Sequence, residues 1–157
     1  MSRHPRPDSS RSSSTPTSAR APRRPPGKSA AGFWATAEPD ALLERLADPG
    51  LVLTAEVARL VRDRAAAFLV TDPSRARGLA RALFAAAERA PQTAVEARAH
   101  AWRARAEADM YSGRLPAARA SYERATQHAE RSRARQLLGE ILVGRVHLLS
   151  LLGEGAE

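Results

Sequence analysis

Four histidines, a dense set of arginine and glutamate side chains and one short "GKS" stretch are the residues of this 157-residue chain able to bind a metal, move a proton or hold a phosphate. His4, His100, His128 and His147 include no pair four residues apart, the spacing that sets two imidazoles on one helix face as metal ligands. Cysteine is absent, which removes thiolate metal sites, disulfide scaffolds and cysteine nucleophiles. "GKS" at 27–29 ends like a phosphate-binding loop, but that loop needs a glycine where Pro22 stands. No serine sits in a nucleophile elbow, and the glutamates lie beside arginines at helix-surface positions. The expectation is a chain with no catalytic residues, no metal and no cofactor.

The elements that would position any binding group are helices. Aromatic residues are 4% of the chain against 43% hydrophobic, so alanine, leucine and valine must build the core, and alanine and leucine favour helix. Punctuation predicts where each helix begins. Pro39 opens "PDALLERLA", closed by Pro49-Gly50; Thr54 caps "TAEVARLVRDRAAAFLV"; Asp72 and Pro73 start "PSRARGLARALFAAAERA". Thr93 with Glu96 reads as a capping box for a helix running to Ser112, which Gly113 ends in left-handed conformation. Pro116 begins a helix extending to about Arg131, and a last one runs from Ser132 to Leu152, stopped by Gly153. No segment shows the alternation of a half-buried strand.

The net charge of +8 is concentrated at one end. Residues 1–32 carry seven basic side chains and the single acid Asp8, whereas 33–157 hold 18 basic and 16 acidic residues. A folded part so nearly balanced argues against a DNA-reading face. The leader is rich in Ser, Pro and Arg and poor in large apolar groups, so residues 1–35 are expected to be disordered, with the helical domain at 36–157. No apolar run marks a secretory signal, and prolines at 5, 7, 16, 22, 25 and 26 break the amphipathic helix of a transit peptide. The location expected is cytoplasmic. "PRRP" at 22–25 reads as a solvated spacer or a polyproline ligand.

The helices come in pairs, and the pairs repeat. Ala118, Tyr122 and Ala125 follow Ala80, Phe84 and Ala87 at an offset of 38, and Gly153 follows Gly113 at 40. In "AWRARAEADMYSGRLPAARASYERA", residues 101–125, Trp102, Gly113, Ala118, Tyr122 and Ala125 stand in the order and spacing of a tetratricopeptide repeat, which the segment 99–132 resembles. The resemblance implies an all-α, right-handed solenoid of antiparallel helix hairpins. In it Trp102 and Tyr122 fill the space between two helices, Ala106, Ala118 and Ala125 are small where helix meets helix, and the last repeat is truncated. Arg105 and Asp109 depart from the pattern, standing where Leu and Tyr are usual. Four residues apart, they read as a solvated ion pair or as a polar contact to the neighbouring hairpin.

In that family the first helix of each pair lines a concave face that binds peptides. By resemblance His100, Arg103, Glu107, Met110 and Tyr111 face it here, with charge from Arg103 and Glu107 and adaptable apolar contact from Met110 and Tyr111. Otherwise they form a solvated helix face. Members that clamp a terminal carboxylate place Asn four residues after a basic residue, and Glu107 in that place disfavours such a ligand.

The final helix, "SRARQLLGEILVGRVHLLSLLG", is apolar nearly all round, so either the array continues past residue 157 or another chain covers it. Its composition and the 38–40 offsets also resemble the amino-terminal arrays of bacterial proteins that join such repeats to a caspase-like CHAT protease domain. That resemblance implies a regulatory or sensor part whose catalytic domain lies elsewhere. The leading expectation is thus a non-catalytic scaffold for a protein or peptide partner. The alternative is nucleic-acid binding through the arginine-rich tail, with steep salt dependence.

Overall fold

A computed structural model describes residues 30–153. Within that range the chain forms seven α-helices and no strand: α1 (Ala30–Thr36), α2 (Pro39–Ala47), α3 (Ala55–Ala66), α4 (Pro73–Arg89), α5 (Val95–Tyr111), α6 (Leu115–Ser132) and α7 (Arg135–Leu152). The caps explain several starts. Thr54 Oγ1 accepts from Val57 N at 3.2 Å, and Asp72 Oδ1 accepts from Arg75 N at 3.0 Å. Gly113 and Gly153 take φ of 72° and 74°, ending α5 and α7 as expected.

The boundaries differ from expectation in several places. The stretch expected to be disordered lies outside the described residues through position 29, but its last part is helical. There α1 buries Trp34 against the core, with Phe33 edge-on at 5.4 Å. The helix after Thr54 stops at Ala66 rather than Val70, because Phe68 and Leu69 turn back onto Ala65 and Ala66 through backbone hydrogen bonds. The capping box at Thr93 does not form. Val95 N donates to the Thr93 carbonyl at 2.8 Å, and Ala94 occupies the cap position with no side-chain bond. Ser132 belongs to α6, which ends at Arg133 in the left-handed region (φ 58°), and α7 starts at Arg135.

Two apolar clusters meet across α5. The first gathers Trp34, Leu42, Leu46, Val61, Leu79 and Leu83 from α1–α4. The second gathers Tyr122, Leu137, Ile141 and Leu148 from α6 and α7. Ala97, Ala101, Ala104 and Ala108 of α5 belong to the first, whereas Ala99, Ala106 and Met110 belong to the second. Small side chains on opposite sides let α3 and α4 approach one flank and α6 and α7 the other. Hence α5 is a central helix, buried around most of its circumference.

Candidate functional site

Because α5 is enclosed, its polar side chains must find partners inside the protein. Arg62 of α3 grips Glu107 with a two-pronged fork, Nη2 to Oε1 at 2.6 Å and Nε to Oε2 at 3.1 Å, while its Nη1 reaches Asp63 at 2.8 Å. One turn back on α5, Arg103 Nε donates to the same Glu107 Oε1 at 2.9 Å, and its Nη1 donates to Glu140 of α7. Gln136 steadies the other oxygen of Glu140 at 3.3 Å. The result is a ladder of alternating charge, Asp63–Arg62–Glu107–Arg103–Glu140, that ties three helices together.

Electrostatics follow from this geometry. Burial lowers the basicity of Arg62, but hydrogen bonds and charge from Glu107 and Asp63 outweigh it, so its pKa is raised. Burial pushes the Glu140 carboxyl up, yet the Arg103 bond and charge pull it below its ordinary value. His100 lies among these groups. Burial, reinforced by the charges of Arg103 and Arg62, depresses its pKa to about 4, so the imidazole is neutral near pH 7. Its Nδ1 is buried without a hydrogen-bond partner. Beside the ladder, the Tyr122 ring of α6 is fully buried and lies against Gly144 of α7, where any side chain would collide with it.

The five residues assigned to a partner-binding face are therefore placed unequally. His100, Arg103, Glu107 and Met110 are only 5–8% exposed, and Tyr111 alone is open, at 48%. Arg103 and Glu107 satisfy each other and the flanking helices. The partners that complete the ladder, Arg62 and Glu140, lie 45 and 37 residues away in sequence, so no local spacing pointed to them.

The residues assigned to repeat packing are also resolved. Ala106, Ala118, Tyr122 and Ala125 are buried, and Gly113 makes the α5–α6 turn. Trp102 is partly buried, and its ring meets Phe84 of the preceding helix edge-on at 4.6 Å, so it joins α5 to α4. Arg105 lies over both rings, 5.0 Å from Phe84 and 5.4 Å from Trp102, and approaches Asp109 at 3.9 Å. The expected ion pair with Asp109 is present, with Arg105 half exposed, and the contact Arg105 makes to the preceding helix is with the face of the Phe84 ring rather than with a polar group. Asp109 is buried and is also held by Arg114.

Against known proteins this chain finds no counterpart: no family profile, curated sequence or solved structure matches it. Among the described residues no group of three His, Asp or Glu could hold a metal ion, and no helix is long and apolar enough to cross a membrane.

The surface of α7 completes the site. Leu137, Ile141 and Leu148 face inward. Leu142, Val143, Val146 and Leu151 face outward, with Val143 72% and Val146 64% exposed. No other helix exposes as many large aliphatic side chains among the described residues.

Proposed function

We propose that the chain is a non-catalytic scaffold of the tetratricopeptide kind, a stack of helix hairpins that docks an apolar helix of a protein partner on the outer face of α7. The buried small residues Ala106, Ala118 and Ala125 and the left-handed Gly113 support the repeat reading, since they stand where such a hairpin needs close approach and a turn. A cytoplasmic, regulatory part of a larger assembly belongs to the same reading.

The observation that carries the proposal is the contrast between α5 and α7. In α5 both flanks are covered by neighbouring helices, whereas α7 packs on α6 and α5 and no described residue covers its other flank. Leu142, Val143 and Val146 occupy that flank. An apolar helix supplies to α7 what α6 supplies to α5. The ladder face is the weaker docking surface, because Arg103 and Glu107 already neutralise each other and their neighbours.

In the purified chain only a second copy can offer such a helix. Sedimentation velocity is then expected to show association at tens of micromolar, about the strength expected of a small apolar interface. The double substitution Val143→Glu with Val146→Glu should leave a monomer with unchanged helicity. Association that persists undiminished in the double variant would rule the face out as the docking surface.

A further inference from the structure

A second feature lies away from α7, where α4, α5, the α5–α6 turn and the start of α6 border an open cavity of about 470 Å³. Four arginines line it: Arg77 and Arg81 from α4, Arg105 from α5 and Arg114 from the turn. Asp109 is the single carboxylate in that lining, and it is already engaged by Arg114 and approached by Arg105. The wall therefore carries a surplus of three positive charges.

The donors are also incompletely used. Arg77 Nη2 donates to Ser112 Oγ at 2.9 Å, but its buried Nε has no acceptor. The exposed side chain of Arg81 makes no hydrogen bond or ion pair with any described residue. Arg77 and Arg81 stand four apart on one helix, a spacing at which like charges repel and destabilise. An anion between the two would turn that repulsion into shared attraction. Phe84 provides an apolar patch in the same wall, next to the stacked Arg105 and Trp102.

We propose that this cavity binds a phosphate monoester. Planar guanidinium forks match the oxygens of phosphate, and a phosphoryl group brings about −1.5 to −2 charge with three strong acceptors. A single carboxylate would leave most of the surplus uncompensated. The volume admits the phosphoryl group together with the organic part of the ester, which lies on Phe84. The ester is either a small molecule or a phosphorylated side chain of another protein, since both present the same dianion.

The test uses the full chain at constant ionic strength and follows the Trp102 indole N–H and the arginine Nε–H signals by NMR. The probes are phenyl phosphate, a short phosphoserine peptide and, for comparison, acetate. Phenyl phosphate is expected to shift the Trp102 signal with a dissociation constant of about 1 mM, and Arg81→Gln to weaken it about tenfold. Because Arg81 has no intramolecular partner, this variant keeps its fold. Arg45→Gln removes an equal charge from α2, outside the cavity lining, and should leave the affinity as it was. A preference for the phosphoserine peptide over phenyl phosphate assigns the site to a modified protein, and the reverse to a small molecule. Equal loss in Arg45→Gln and Arg81→Gln, equal shifts with acetate, or no Trp102 shift at about 20 mM ester would each overturn the assignment. The site is independent of the α7 face, so the Val143 and Val146 substitutions leave phosphate binding intact.

Discussion

Replacing Glu107 by glutamine separates the internal ladder from an open binding groove. The side chain keeps its shape and loses its charge. Two guanidinium groups, Arg62 and Arg103, bond to this carboxylate, and all three residues are largely withdrawn from solvent. Removing one partner of a buried ion pair costs about 3–5 kcal/mol, because the remaining charge stays desolvated. Two compensations reduce the figure here. Arg62 retains Asp63 and Arg103 retains Glu140, both of which are substantially exposed. The glutamine oxygen, in the place of Oε1, also still accepts from Arg62 Nη2 and Arg103 Nε, while its NH2 faces the Arg62 Nε–H that Oε2 had accepted. A loss of about 2–3 kcal/mol is therefore expected. Urea denaturation followed by far-ultraviolet circular dichroism would read it as a lower midpoint with an unchanged slope. A double-mutant cycle with Arg62→Gln should return a coupling of at least about 1 kcal/mol. A Glu107→Gln variant within about 0.5 kcal/mol of the parent would mean that the ladder does not join α3, α5 and α7.

Acid and shape provide further checks. The folded-state pKa of His100 lies at about 4, below its ordinary 6.5, so the unfolded chain binds the extra proton between those values. Stability from this group is full above pH 6.5 and falls as pH drops toward 4, by up to about 3 kcal/mol. Melting temperatures across pH 4–7 should show that slope in the parent and a flatter one in His100→Gln; parallel curves would count against a buried neutral imidazole. At Gly144, an added methyl group would stand 2.5–2.9 Å from the Tyr122 ring and hydroxyl, so Gly144→Ala should destabilise by about 1–2 kcal/mol despite alanine's helix preference. At Gly139 nothing lies within 4 Å, and the same substitution should stabilise by about 0.5–1 kcal/mol. Thermal melts showing the same sign at both glycines would contradict the packing of Tyr122 on α7.

How much of this was legible before the structure depends on the range of each interaction. Thr54, Asp72, Pro39, Gly113 and Gly153 act on backbone within a few residues, and the structure has them at the helix ends that local chemistry predicts. The capping box at Thr93 failed even at that range. There a tight backbone turn, Ala94 N to the Pro91 carbonyl and Val95 N to the Thr93 carbonyl, moves the cap position to Ala94, whose side chain cannot accept a bond. Arg133 gave no warning: an exposed non-glycine residue takes the left-handed position that ends α6, where its N–H donates to the Glu130 carbonyl and that of Ala134 to the Ala129 carbonyl.

The sequence by itself determined that the chain is helical, because an alanine- and leucine-rich composition with periodic stops leaves the backbone no better way to satisfy its hydrogen bonds. It also marked Tyr122, Ala118 and Ala125 as core. Only the tertiary structure decided what becomes of the charged residues on α5. Arg103 and Glu107 have the spacing of an open, polar helix face, and that spacing is the same whether water or another helix lies opposite. The arrival of Arg62 from α3 and Glu140 from α7 turns the face inward. Electrostatic pairing across elements depends on distance in space, which sequence separation does not encode.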